Sequence, residues 1–154
     1  MREILFGGKR FDNGKWVFGN FIEYTFEGDN ESPVCVIQEK QMSPLHDVDI
    51  ECCPANIEEL QEFLWVDYRR WYVIPETVGQ FAGRVDKNGN KIFEGNICKG
   101  SWDTVVQVYF DEDYAQFRAK TASGFSQSMD FFGDLEVIGN IHDNPELVDT
   151  PAAP

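Results

Sequence analysis

The stretch from Pro75 to Ser101 constrains this chain more than any other, because glycine punctuates it at Gly79, Gly83, Gly89, Gly95 and Gly100. It reads as a strand, a tight turn and two more short strands. Asn88-Gly89 is the strongest short hairpin signal in the chain. A two-residue type I′ turn needs positive φ at both central positions, which Asn tolerates and Gly adopts without a Cβ clash. The remaining glycines fall at strand ends, where small barrels bend or let one backbone approach another.

The same stretch carries a resemblance. Glu76-Thr77-Val78-Gly79-Gln80-Phe81, Asp86-Lys87-Asn88-Gly89 and Ile92-Phe93-Glu94-Gly95-Asn96-Ile97 resemble the core signature of the YopX family. Leu135-Glu136-Val137-Ile138-Gly139-Asn140-Ile141, followed by Asn144-Pro145-Glu146-Leu147, is similar to that family's C-terminal signature, and Met1-Arg2-Glu3-Ile4 fits its usual start. The resemblance implies a phage- or prophage-encoded protein and a β-rich fold with an SH3-like small barrel. It brings no catalytic residues with it, and it gives little guidance between Pro33 and Trp71.

A chain of 154 residues suits one domain with a sizeable core. Thirteen Phe, five Tyr and four Trp favour half-buried pleated surfaces and hence a mainly-β class. The expected layout is an N-terminal β segment over 1–74 with one short helix at 56–64, a small SH3-like barrel over 75–147, and a disordered tail over 148–154. The formal net charge of −14 disfavours direct contact with nucleic acid or an anionic membrane, since both demand Lys and Arg. No Cys-x-x-Cys pair occurs among Cys35, Cys52, Cys53 and Cys98, and no cationic leader or membrane-length apolar run is visible. A reducing bacterial cytoplasm is expected, with the cysteines as small buried hydrophobes and no cofactor or metal.

In chain order, Arg2 to Lys9 reads as a strand, Asp12-Asn13-Gly14-Lys15 as a hairpin turn and Trp16 to Phe26 as a long strand. Apolar residues on both faces of the latter imply two-sided burial, or a bulge near Gly19. Its opening echoes the run from Asn88 to Asn96, as two similar turns would. Val34 to Ile37 reads as a short buried strand and His46 to Glu51 as an alternating one. Asn56 is a good N-cap for a helix to Leu64, with Glu59 at N3 and Ile57, Leu60 and Leu64 on one face. Thr104 to Phe110 and Tyr114 to Ala119 form a strand pair around an acidic turn. Thr121 to Asp130 reads as a polar loop, and Leu135 to Ile141 closes the sheet.

Two groups of residues are candidates for binding. Trp65, Tyr68, Arg69, Arg70 and Trp71 combine the residue types that dominate protein-interface hot spots. Asp47, Asp49 and Glu51 place carboxylates roughly 6.6–6.8 Å apart along one strand face, on the scale of successive phosphates. No spacing of ligands, nucleophile and base, or phosphate-binding glycines points to catalysis. The leading expectation is a non-enzymatic accessory protein that binds protein, as a homo-oligomer or with a host or phage partner. The alternatives are an acidic nucleic-acid mimic that inhibits a host DNA- or RNA-handling enzyme, and a hydrolase built on carboxylates.

Overall fold

The structure, a computed structural model, describes residues 3–24, 34–42 and 66–149. The expected strand at His46–Glu51, the helix at 56–64, Cys52, Cys53 and residues 150–154 lie outside the described residues. Eleven strands are described: β1 (Phe6–Lys9), β2 (Trp16–Tyr24), β3 (Val34–Met42), β4 (Val66–Tyr72), β5 (Gly79–Val85), β6 (Lys91–Phe93), β7 (Asn96–Lys99), β8 (Val105–Asp111), β9 (Gln116–Lys120), β10 (Ser126–Ser128) and β11 (Glu136–Asn140). One short helix, α1 (Glu146–Asp149), follows them. The chain is mainly β, as its aromatic and glycine-punctuated sequence predicts.

The strands form two antiparallel sheets, ordered β4-β3-β2-β1-β5-β6 and β10-β9-β8-β7-β11. The first sheet continues across residue 75, because β5 pairs with β1 through Phe6↔Gln80 and Gly7↔Gly79. It also curls on itself. Phe11 N donates to Tyr72 O at 3.0 Å and Ile74 N to Lys9 O at 2.9 Å, so the end of β4 returns to the end of β1. A 3-10 turn at Pro75–Thr77 interrupts this edge, and the buried Thr77 hydroxyl fills the gap. Its Oγ1 accepts Lys9 N at 2.9 Å and donates to Ile74 O at 2.7 Å. Inside the ring lie Cys35, Ile37 and Val73, with Phe6, Val17, Phe21 and Val78 packed around them.

β2 explains its own two-faced sequence. Trp16–Gly19 pair with β1 on one edge, and Asn20–Tyr24 pair with β3 on the other. Neither ladder shifts register, so of the two readings the bulge at Gly19 is absent; Val17 and Phe21 pack on the core from one face, and Phe18 meets Phe93 from the other. A Cβ on Gly19 would stand 2.2 Å from Gln38 O, which is why the crossing needs glycine.

The second core lies beneath β5 to β11. Along β8, Val106 and Val108 are fully buried while Val105, Gln107 and Tyr109 are partly exposed, the period of two that the sequence shows. They pack with Ala82, Ile92, Cys98, Ala119, Met129, Phe132 and Leu135. Burying each large aliphatic side chain contributes about 1.5–3 kcal/mol. Cys35 and Cys98 are free and buried, as expected of small hydrophobes. Burial, aided by the Asp86 charge, pushes the Cys98 thiol up to about 12.

Two local expectations are corrected. Asn88-Gly89 does form a hairpin, but only Gly89 has positive φ (84°), so the turn is not type I′. Gly89 N bonds to Asp86 O and Asp86 N to Asn90 O, which makes a three-residue loop ending in a left-handed glycine. The reason is Asp86, whose buried carboxylate accepts Asn88 N and Asn90 N, both at 2.8 Å, and overrides the two-residue turn. The second correction concerns Thr121 to Asp130. Ser126–Ser128 is a strand, paired with Arg118–Lys120, because backbone ladders need no apolar alternation at a sheet edge.

Candidate interaction surface

The anticipated aromatic and arginine cluster lies on β4, except Trp65, which is outside the described residues. Tyr68 holds its place in the ladder opposite Lys40. Strand alternation separates the rest. Arg70 and Tyr72 face a shallow groove with Tyr24, Val34 and Val36. Trp71 is half-buried under the Arg10 guanidinium, which lies 3.7 Å from its ring centroid and pairs with Asp12. Arg69 and Arg70 are both exposed. Arg70 and Trp71 therefore do not share one patch. Asp47, Asp49 and Glu51 lie outside the described residues.

A more prominent aromatic surface sits at the β7–β8 turn. Gly100 N donates to Thr104 O at 2.8 Å and Thr104 N to Ser101 O at 3.2 Å, closing a three-residue loop whose tight turn has Trp102 and Asp103 at its centre. Both central residues are left-handed, with φ 55° at Trp102 and 59° at Asp103. That is the geometry of a type I′ turn, usually filled by Asn-Gly. A bulky side chain there is a genuine outlier, at roughly 1–2 kcal/mol per residue. Trp102 nevertheless stands 91% exposed and makes up none of this cost by burial. Lys99 Nζ lies 2.9 Å from Asp103 Oδ1 and steadies the turn.

The turn is packed against the 3-10 helix Met129–Phe132. A Cβ on Gly100 would come within 2.5 Å of Phe132 O, and one on Gly133 within 2.3 Å of Ser101 Oγ. Phe131, 55% exposed, contacts Phe125, 48% exposed, with ring centroids 5.6 Å apart. Both rings rest on the buried Phe132. Rigid elements thus hold three exposed aromatics at one end of the second sheet. Sequence reasoning missed this surface. The available signal was a Trp-Asp pair joining two strands where a turn residue is expected.

At the opposite end of β7 lies a cleft of about 300 Å³. Its walls are Trp16, Phe18, Phe93 and His142, with Lys91 and Glu94 among the lining groups. Glycines at 7, 79 and 139 keep it open by bringing backbones close. Several runs that carry the family resemblance meet here, through Gly79, Phe93, Glu94, Asn96, Gly139 and Asn140.

One carboxylate fixes this cleft. Asp143 accepts from Asn140 Nδ2 at 3.0 Å, Lys9 Nζ at 2.5 Å and Trp16 Nε1 at 2.7 Å. Those three hydrogen bonds hold its carboxyl down at about 2. Asn140 Oδ1 in turn accepts the backbone N–H of His142 and Asp143, which shapes the turn after β11. His142 stands beside Trp16, with ring centroids 6.1 Å apart.

Comparison with known proteins places these features in a family. The model of the family described as YopX protein matches residues 25–149. Among solved structures, the chain is similar to the crystal structure of protein EF1440 from Enterococcus faecalis, with a TM-score of 0.49 and 18% identity, over 96% of this chain and 99% of that one. No curated protein matches. Among the described residues, no helix is long and apolar enough to cross a membrane.

Proposed function

The chain belongs to the YopX family, and from that premise we propose that it is a non-enzymatic phage or prophage accessory protein that works by binding protein, its own copies included. The observation that carries this reading is Trp102, nine-tenths exposed on a strained turn packed against the 3-10 helix that carries Phe131. Trp and other aromatics held rigidly in solvent are the anchors that interfaces bury. Free buried thiols at Cys35 and Cys98 suit action in the bacterial cytoplasm.

The cleft gives the hydrolase alternative little support, since among the described residues Glu94 is the one carboxylate in its lining. Acid–base work on two carboxylates needs a pair. The charge of −14 keeps the acidic-mimic alternative in play as an outcome of the test.

The test is affinity capture from host lysate at low and high salt, using the wild-type chain and Trp102→Ala, alongside light scattering of the pure protein. Capture or self-association that survives high salt and is lost in Trp102→Ala supports the aromatic anchor. A partner indifferent to Trp102 and released by salt supports the nucleic-acid mimic instead. Neither partner nor oligomer would remove the proposal.

A further inference from the structure

The exposed indole and the aromatic cleft have matching chemistry at opposite ends of one strand. Asn96 lines the cleft at the start of β7, and Trp102 lies just past its end. The four extended residues of β7 span roughly 13 Å, and Trp102, on the turn beyond them, stands 91% exposed. Trp102 therefore cannot enter the cleft of its own chain. We propose that it enters the cleft of a second copy, so that the protein assembles head to tail. This deepens the protein-binding reading above and rests on it.

The fit is argued from both sides. A cleft of about 300 Å³ is at the small end of ligand sites and suits one aromatic group rather than an extended ligand. Its walls offer ring faces and edges from Trp16, Phe93 and His142, the surfaces an indole packs against. An indole also brings one N–H that must find an acceptor when buried. The Glu94 carboxylate, in the lining, has no hydrogen-bond or ion-pair partner among the described residues and supplies that acceptor.

The remaining surface opposes assembly, because two copies each carry a charge of −14. Screening this repulsion makes association stronger as salt rises, the reverse of an electrostatically driven complex. Knob and hole are different surfaces, so the contact is heterologous. Copies added this way close into a ring or extend as a filament rather than stopping at a two-fold dimer.

The experiment is sedimentation velocity across micromolar to millimolar protein, with two variants and their mixture. Trp102→Ala removes the knob and keeps the cleft. Phe18→Glu places a carboxylate in the cleft and keeps the knob. Wild type is expected to form species larger than a dimer, more so at high salt. Each variant alone is expected to associate about thirtyfold more weakly, the scale of a hot-spot truncation. The equimolar mixture has one intact knob and one intact cleft per pair, and is expected to give a 1:1 dimer that grows no further. N-acetyl-tryptophanamide, added to wild type as a free indole, should dissociate the assemblies and covers the case that Phe18→Glu misfolds. A wild type monomeric throughout, assembly unaffected by Trp102→Ala, or failure of both the mixture and the competitor would overturn head-to-tail docking. Trp102-dependent capture of a different protein by a monomeric chain would sink this inference while leaving the protein-binding reading intact. Loss of both would sink the two together.

Discussion

The Trp16 indole N–H donates to Asp143 Oδ2 at 2.7 Å, joining β2 to the turn before α1 across 127 positions of sequence. Asn140 and Lys9 complete the cage, and together the three hydrogen bonds depress the Asp143 carboxyl to about 2. A carboxyl whose folded pKa lies below its unfolded value stabilises the fold above the unfolded value, near 4. That contribution is lost as pH falls through about 2. The Asp143 side chain is about a third exposed, so solvent screening reduces the effect. Asp143→Asn is expected to cost about 1 kcal/mol at pH 7. Urea titrations of both proteins at pH 7, 4 and 2 should show the gap closing between pH 4 and pH 2, and a constant gap would refute the linkage.

Asp86 acts by a different balance. Burial alone would raise its pKa, but hydrogen bonds from Val137 N, Asn90 N, Asn90 Nδ2 and Asn88 N outweigh it and hold the carboxyl below its ordinary value. The Val137 bond, at 3.0 Å, ties the β5–β6 loop to β11. Asp86→Ala strips the acceptor from all four donors, and hydrogen bonds to a charged group contribute about 1.5–3 kcal/mol each. Water reaching the opened loop recovers part of the loss, so the expected cost is on the order of 3 kcal/mol. Amide exchange at Val137 should accelerate well beyond that at Ile97. Unchanged protection at Val137 would show that the carboxylate is not what holds the two segments together.

These two carboxylates show where the sequence was readable. The hairpins at Asp12–Lys15 and Asn88–Gly89 are local, so Gly14 and Gly89, both left-handed, could be found by inspection. The alternation of Val106 and Val108 was visible for the same reason. The form of the second turn was not, because it depends on Asp86 meeting Val137, 51 residues away. The cleft was equally hidden, since Trp16 and His142 become neighbours only when both sheets have formed. On β4, Tyr68, Arg69, Arg70 and Trp71 looked like one surface because they are adjacent in sequence. Strand alternation divides them, and Arg10 covers Trp71 from another strand. Trp102 escaped notice because Gly100, Ser101 and Asp103 announce a turn but not which side chain it presents to solvent.

Two glycine substitutions separate steric from conformational demand. At Gly19 an added Cβ would lie 2.2 Å from the backbone oxygen of Gln38, and no flexible side chain can give way. Gly19→Ala must push β2 and β3 apart, and is expected to cost on the order of 3 kcal/mol, the upper range for overpacking. Gly89 has φ 84° and open space around its Cβ position. Gly89→Ala meets only the left-handed penalty, roughly 1–2 kcal/mol. Chemical denaturation of the two variants should rank them in that order. The reverse order would mean that the β2 crossing relaxes more readily than its backbone contacts allow.

The β7–β8 turn provides the clearest separation of stability from function. Trp102 and Asp103 occupy left-handed conformations that Asn and Gly adopt at little cost, and the exposed indole offers no packing in return. Trp102→Asn combined with Asp103→Gly relieves both residues, offset by the entropy of the added glycine and by loss of the exposed Lys99–Asp103 pair, which is a weak stabiliser. The net expectation is a gain of about 1–2 kcal/mol, read as a rise in Tm of a few degrees for a chain of this length. The same double variant should lose self-association. A turn built only to join β7 and β8 would allow the first change without the second. One shaped to present an indole to a partner requires both together, and calorimetry with sedimentation on the same preparation decides between them. A fall in Tm would show that the turn stores no strain, and would remove the reason for treating Trp102 as anything more than an exposed loop residue.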